Sequence, residues 1–566
     1  MYGLEMVIEP FRQTTLQVKL TNSGSSGLSK KYLWRLQHVD SSSGVTARSV
    51  DDVWSVSGGP QVGVTLETPG RQFVLSVQNL GDDGTVLAEG RAVASCKYVR
   101  REIRKLAEGD REAFFDAMQI FFTISTEEGK IKYGSKFRNH EKIVTVHEAQ
   151  LTEFCFHNGM QFMTSHAAFD LVFERYLQMI NPRVALPLWD FMIEAATMGD
   201  EWYNSIIFDK EWFGSALGSP DNNFMVSEGR FGNISTIYDP EKRWARSRVH
   251  PNYNPYGYVS SVNNYNDMPR LTRTTSFCGL TSHGTFATAG VFIACFEEHT
   301  TFDNWENCME QKVHGDLHGI IGGGFNCNTD MKQFADDHPQ YSVRLLSFLL
   351  EYITFGFWPQ NLFMPNGNTC DTACDQGEPC GCTCNVDAFA ISDQETYFYC
   401  EYFMSQAAQK FSGDEFITYD ADAPHPYGFM KGDERMSDED ALYLMRYLVK
   451  IGCEPGAVGA MSTGTSALDP IFWVLHGFFE KALHILWLSP KYREAYDMEW
   501  VDGTCNGSGY NDELPFTESI LGLGSGKTFL TNKRILELLY PTNVNMPYIY
   551  EGFHNWGNFD TDLVKN

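Results

Sequence analysis

Positive charge is scarce in this chain. It has 44 Lys and Arg against 72 Asp and Glu, a formal net charge of −28 over 566 residues. Phosphate contacts need clustered cations, so nucleic acid and anionic membrane surfaces are excluded as expected partners. Long uninterrupted apolar runs are missing as well, so no membrane span is expected. No internal repeat is found. The opening residues, MYGLEMVIEPFRQ, lack the basic-then-apolar layout of a secretory signal. Disorder is excluded by composition, because 43% hydrophobic and 14% aromatic residues supply ample core.

Cysteine, by contrast, is plentiful. Five of the 14 fall in one stretch, CDTACDQGEPCGCTCN, at Cys370, Cys374, Cys380, Cys382 and Cys384. Gly, Pro, Asp and Asn fill the gaps and make it a loop. Such loops are stapled by disulfides in oxidising compartments; a zinc knuckle is the alternative, though no histidine lies within the cluster. The expected location is therefore secreted and extracellular. Two sequons, Asn233-Ile-Ser and Asn506-Gly-Ser, are compatible with a glycoprotein.

Two regions follow from the patterning. Residues 1–95 hold short β-prone runs such as KYLWRLQHV and QFVLSVQNL between Gly, Ser, Asn and Asp clusters, which predicts a small Ig-like β-sandwich. From 96 to 566 the chain reads as mainly α with long loops, as in VRREIRKLAEGDREAFFDAMQIFF. A cysteine-bearing insertion is expected around 325–460.

Histidine placement carries the chemistry. His314 and His318 are four apart, which puts both imidazoles on one helical face; Gly322 to Gly324 should end that helix. In LDPIFWVLHGFFEKALHILW, Asp469 is a fitting N-cap with Pro470 at the first helical position, and the helix should be buried. His476 inside it needs a partner. Glu480, one turn later, is a candidate to hydrogen-bond the ring, either as support for a ligating imidazole or as one half of a simple core pair. His157 and His166 are nine apart and would point to opposite faces of one straight helix. Asn158-Gly159 offers a break, with His157 ending one segment and His166 lying early on the next helix. A third partner comes from His147, with His140 as the rival. Imidazole ligands suit copper.

Together these elements resemble the tyrosinase family of type-3 copper proteins, which includes catechol oxidases. The first copper motif matches at His157, His166, Glu174 and Pro187 to Asp190. The second matches at His314, His318, Gly322-Gly323, the DPIF run at 469–472, His476 and Glu480. Cys155-Phe-His157 fits the pattern of a cysteine–histidine thioether. Val99-Arg100-Arg101 and Tyr548-Ile-Tyr550 match the family's opening and closing elements. The resemblance covers about residues 96–555. It implies a four-helix-bundle core with two copper ions, held by His147, His157, His166, His314, His318 and His476. It also departs from the family: Leu475 precedes His476 where His-His is common, and Gly315 follows His314 where monophenol hydroxylases often carry Asn.

The activity so implied is oxidation of o-diphenols to o-quinones by dioxygen, with monophenols and o-aminophenols as wider options. Phenol has a pKa of about 10, so its binding as phenolate calls for a base or a metal. Glu306 is the candidate catalytic base; Glu310, one turn before His314, is its rival with a mere orienting role. The alternatives are a dioxygen-binding protein, against which a single copper unit argues, and an extracellular structural protein with a latent site. Oligomeric state is not legible in the sequence.

Overall fold

The computed structural model describes the chain except residues 1, 20–30, 40–51, 149–154, 233, 238–269, 281–284, 328, 354–367, 371–381, 385, 409–414, 454–455, 523–527 and 554–566. Near the N-terminus the alternating pattern becomes sheet. Strands Met6–Ile8, Val86–Cys96, Arg71–Leu80, Tyr32–His38 and Asp52–Gly58 lie side by side in that order. Met6–Ile8 runs parallel to its neighbour and the others are antiparallel. A ribbon of Thr14–Gln17 and Gln61–Val64 completes this part. Tyr32, Trp34, Leu36, Phe73 and Leu75 of the sheet meet Leu16 and Val64 of the ribbon in one apolar core. That is the period-2 consequence of side chains alternating across a strand.

The next strand, Tyr98–Arg100, pairs in parallel with Tyr548–Tyr550, so the start and end of the helical part are bound together. Arg100 lies fully buried between Glu174 (2.9 Å) and Glu480 (2.9 Å). Its guanidinium covers the Tyr548 ring at 3.5 Å. Tyr548 and Tyr550 both donate their hydroxyls to Glu480.

Four helical segments carry five of the six candidate histidines, His157 lying between the first two. They are His140–Glu148, Gln161–Ile180, the run through Met309–Gly315 and Asp316–Gly322, and Ile471–Leu488. The last begins where Asp469 accepts a hydrogen bond from the Ile471 amide at 3.0 Å. The same carboxylate forms a bidentate pair with Arg273 at 2.6 and 2.5 Å, both side chains being fully buried. One correction concerns membrane spans. Ile471–Leu488 is long and apolar enough to cross a bilayer by length and composition, yet it is enclosed by the rest of the protein.

The described residues between 326 and 456 form a second core together with Phe277, Cys278 and Leu280. Leu345, Leu349, Phe403, Met404, Leu444 and Leu448 cluster apart from the histidine-bearing core. The two ends of this region are pinched together, because Gly324–Phe325 pairs antiparallel with Ala457–Val458. The side chains of the five-cysteine loop and of Asn233 lie outside the described residues.

Candidate metal centre

Two groups of three histidines form at the centre of the helical part. His147, His157 and His166 make one, and His314, His318 and His476 the other; within each, one ring nitrogen from every histidine lies within 4.8 Å of the others. The groups face each other. The His166 and His476 rings stack at 4.7 Å, and those of His157 and His314 at 5.7 Å. Phe472 packs on His476 (3.8 Å) and His147 (5.1 Å), while Phe162 packs on His166 and His314, both at 4.7 Å. These rings wall the site with apolar surface. Five of the six histidines are buried and His157 is half-buried.

Backbone carbonyls set the ring orientations. The Nδ1 of His166 lies 2.9 Å from the Phe162 oxygen, and that of His476 lies 2.8 Å from the Phe472 oxygen. These are contacts to the i−4 carbonyl of the same helix. His147 and His318 instead use the loop before the last helix, meeting the Gly464 oxygen at 2.7 Å and the Met461 oxygen at 2.8 Å. A carbonyl only accepts, so each Nδ1 carries the proton and each Nε2 keeps its lone pair. The Nε2 atoms of His147 and His166 are buried with no hydrogen-bond partner. A buried, unsatisfied nitrogen is costly unless something binds it. In the second group, Nε2 of His314 and Nε2 of His476 converge at 3.0 Å.

Burial also fixes protonation. Desolvation pushes His147 and His318 down to about 4. Desolvation first, and then neighbouring imidazoles, hold His157, His166, His314 and His476 well below the usual histidine range. All six rings are therefore neutral near pH 7, the form that ligates a metal. The donor set of nitrogen lone pairs fits copper.

The structure places the expected residues unevenly. His147 joins the first group; His140 lies elsewhere, its ring against Phe122 at 5.3 Å. His157 ends no helix. It sits in a loop, and the break is made by Asn158 (φ 61°) and Gly159 (φ 154°) before the helix at Gln161. The expected Cys155 thioether finds no support: Cys155 is paired with Cys505 and no bond joins it to His157. Glu480 is corrected. It belongs to the Arg100, Tyr548 and Tyr550 cluster, and the Phe472 carbonyl takes the role at His476 that was expected of it.

Glu306 is fully buried on the Phe302–Cys308 helix but joins neither histidine group. Glu310 does not orient His314: both its oxygens accept from the Asn158 amide at 2.9 Å. The Arg273 pair and the Gly464 and Met461 carbonyls had no signal in the sequence, because backbone acceptors and long-range partners leave no local motif.

Comparison with known proteins agrees with this geometry. No curated protein matches the chain. Residues 138–339, which include five of the six histidines, match the family model described as the common central domain of tyrosinase. Over that segment the chain is thus similar to the tyrosinase central domain.

Proposed function

We propose that the protein is a copper oxidase that uses dioxygen to convert o-diphenols to o-quinones. Each histidine group holds one copper: His147, His157 and His166 the first, His314, His318 and His476 the second. The observation that carries this reading is the pair of facing groups of neutral imidazoles, four of which spend their Nδ1 protons on backbone carbonyls. When bound, the copper pair supplies the two-electron exchange between dioxygen and the diphenol.

The chain's own residues do the rest. Backbone carbonyls hold four of the rings so that little reorganisation accompanies loading. Phe162 and Phe472 exclude water beside the rings, which strengthens electrostatic interactions there. His157, the half-buried member, marks the side from which a small phenol approaches. For monophenols a base must take the phenol proton; Glu306 is the candidate, and Gly315 supplies no side chain to assist it. Diphenols are accordingly the preferred class. The disulfides 155–505, 278–327 and 295–308 favour an oxidising, extracellular setting.

Burial of five of the six histidines favours a second reading, a latent or dioxygen-binding site with little turnover. Incubating copper-loaded protein with catechol in air separates the two. The first reading predicts quinone absorbance that disappears in His166→Ala and His476→Ala. A copper-replete protein that forms no quinone would leave the second.

A further inference from the structure

The loop that carries His157 is held by tethers on both sides. Before it, the Cys155 amide donates to the Asn506 oxygen at 2.8 Å, and Cys155 is disulfide-bonded to Cys505. After it, the Gln161 side chain donates to the His157 oxygen at 2.8 Å. The tether of most consequence crosses the site. Glu310 belongs to the π-helical turn Met309–Gly315, the turn that also presents His314. The residue is 4% exposed, and both carboxylate oxygens lie 2.9 Å from the amide of Asn158, the residue next to His157.

Asn158 has φ 61°, a left-handed conformation that is uncommon outside glycine and that its surroundings must hold. A charge-assisted bond to its amide is a strong means of holding it. π-helical turns are rare and recur at functional sites, where they re-aim a side chain. Here the turn spans both Glu310 and His314.

We propose that Glu310 is a positioning residue: anchored on the helix of the second histidine group, it fixes the loop that aims His157 of the first. The geometry of one group is thereby set by an element of the other. The inference rests on the copper reading above and deepens it. His157 is the least buried of the six, so it has the least packing support and depends most on this bond.

Copper titration against a competing chelator tests the idea, read as two binding steps. A supporting carboxylate of this kind is worth ~10–100-fold in metal affinity. Glu310→Ala is expected to weaken one step by that factor and leave the other in place. His157→Ala, which should weaken the same step, identifies it as that of the first group. Glu310→Gln keeps one acceptor oxygen and should recover much of the loss. Half-loaded Glu310→Ala should show the paramagnetic resonance of an isolated Cu(II). Should the alanine variant not fold, Glu310→Asp, which withdraws the carboxylate by one methylene, takes its place. Equal weakening of both steps, no weakening, or a glutamine variant as impaired as alanine would overturn the proposal. A wild-type protein that binds no copper in either step would instead overturn the copper reading itself.

Discussion

Asp469 joins two jobs in one buried carboxylate, and its removal should be costly. It caps the helix that carries His476 through the Ile471 amide and pairs bidentately with Arg273. Losing an N-cap costs about 1 kcal/mol. Breaking a buried ion pair by deleting one partner costs about 3–5 kcal/mol, because the other charge is stranded. Arg273 keeps its contacts to the Phe213 and Gly214 carbonyls at 3.0 and 2.9 Å, but those are neutral acceptors. Asp469→Ala should therefore destabilise the metal-free protein by about 4–6 kcal/mol. Asp469→Asn, which keeps the cap acceptor and the volume, should lose less. Guanidinium unfolding followed by circular dichroism and tryptophan fluorescence reads the difference, with Trp473 as a reporter on the same helix. An alanine variant within about 1 kcal/mol of wild type would refute the reasoning.

Other outcomes are expected. Arg100→Leu strands Glu174 and Glu480 in the core, at a cost of about 3–5 kcal/mol. Burial already raises the Glu480 carboxyl and the guanidinium opposes this, so without Arg100 the denaturation midpoint should show a larger deficit at pH 7 than at pH 5. In metal-free protein, burial holds His147 and His318 near 4 and His484 near 3, against about 6.5 when unfolded. The unfolded state then takes up protons that the folded state refuses. Stability is full above pH 6.5 and falls as the pH drops toward 4, and a melting temperature equal at pH 7.5 and pH 5 would contradict this. Non-reducing peptide mapping should recover a linked pair containing Cys155 and Cys505. A peptide cross-linked from Cys155 to His157 would contradict that pairing.

Much of the site was legible because its chemistry is local. The four-residue spacing of His314 and His318 and the Asp-Pro start before His476 are signals written within one turn of helix. The nine-residue gap between His157 and His166 required a break, and Asn158-Gly159 supplied residues able to adopt positive φ. His147 was preferred to His140 on chain order alone: seven residues apart they share one face of His140–Glu148, and position along the axis, beside Gly464, decides between them. Glu480 misled because two partners lay within reach. A buried arginine some 380 residues away in sequence competes better for a carboxylate than a neutral imidazole does. The pairing of Cys155 with Cys505 was not legible either, as the partner lies 350 residues on. The inner sheet positions followed from alternation, whereas the parallel pairing of Tyr98–Arg100 with Tyr548–Tyr550 is long-range and has no periodic signature.

Copper content per chain tests the central claim most directly. Protein loaded with copper and passed over a chelating resin should retain two equivalents, one for each histidine group. His166→Ala and His476→Ala should each lower that by about half while the fold persists. A wild-type chain that retains no copper, or variants that retain as much as wild type, would contradict the account.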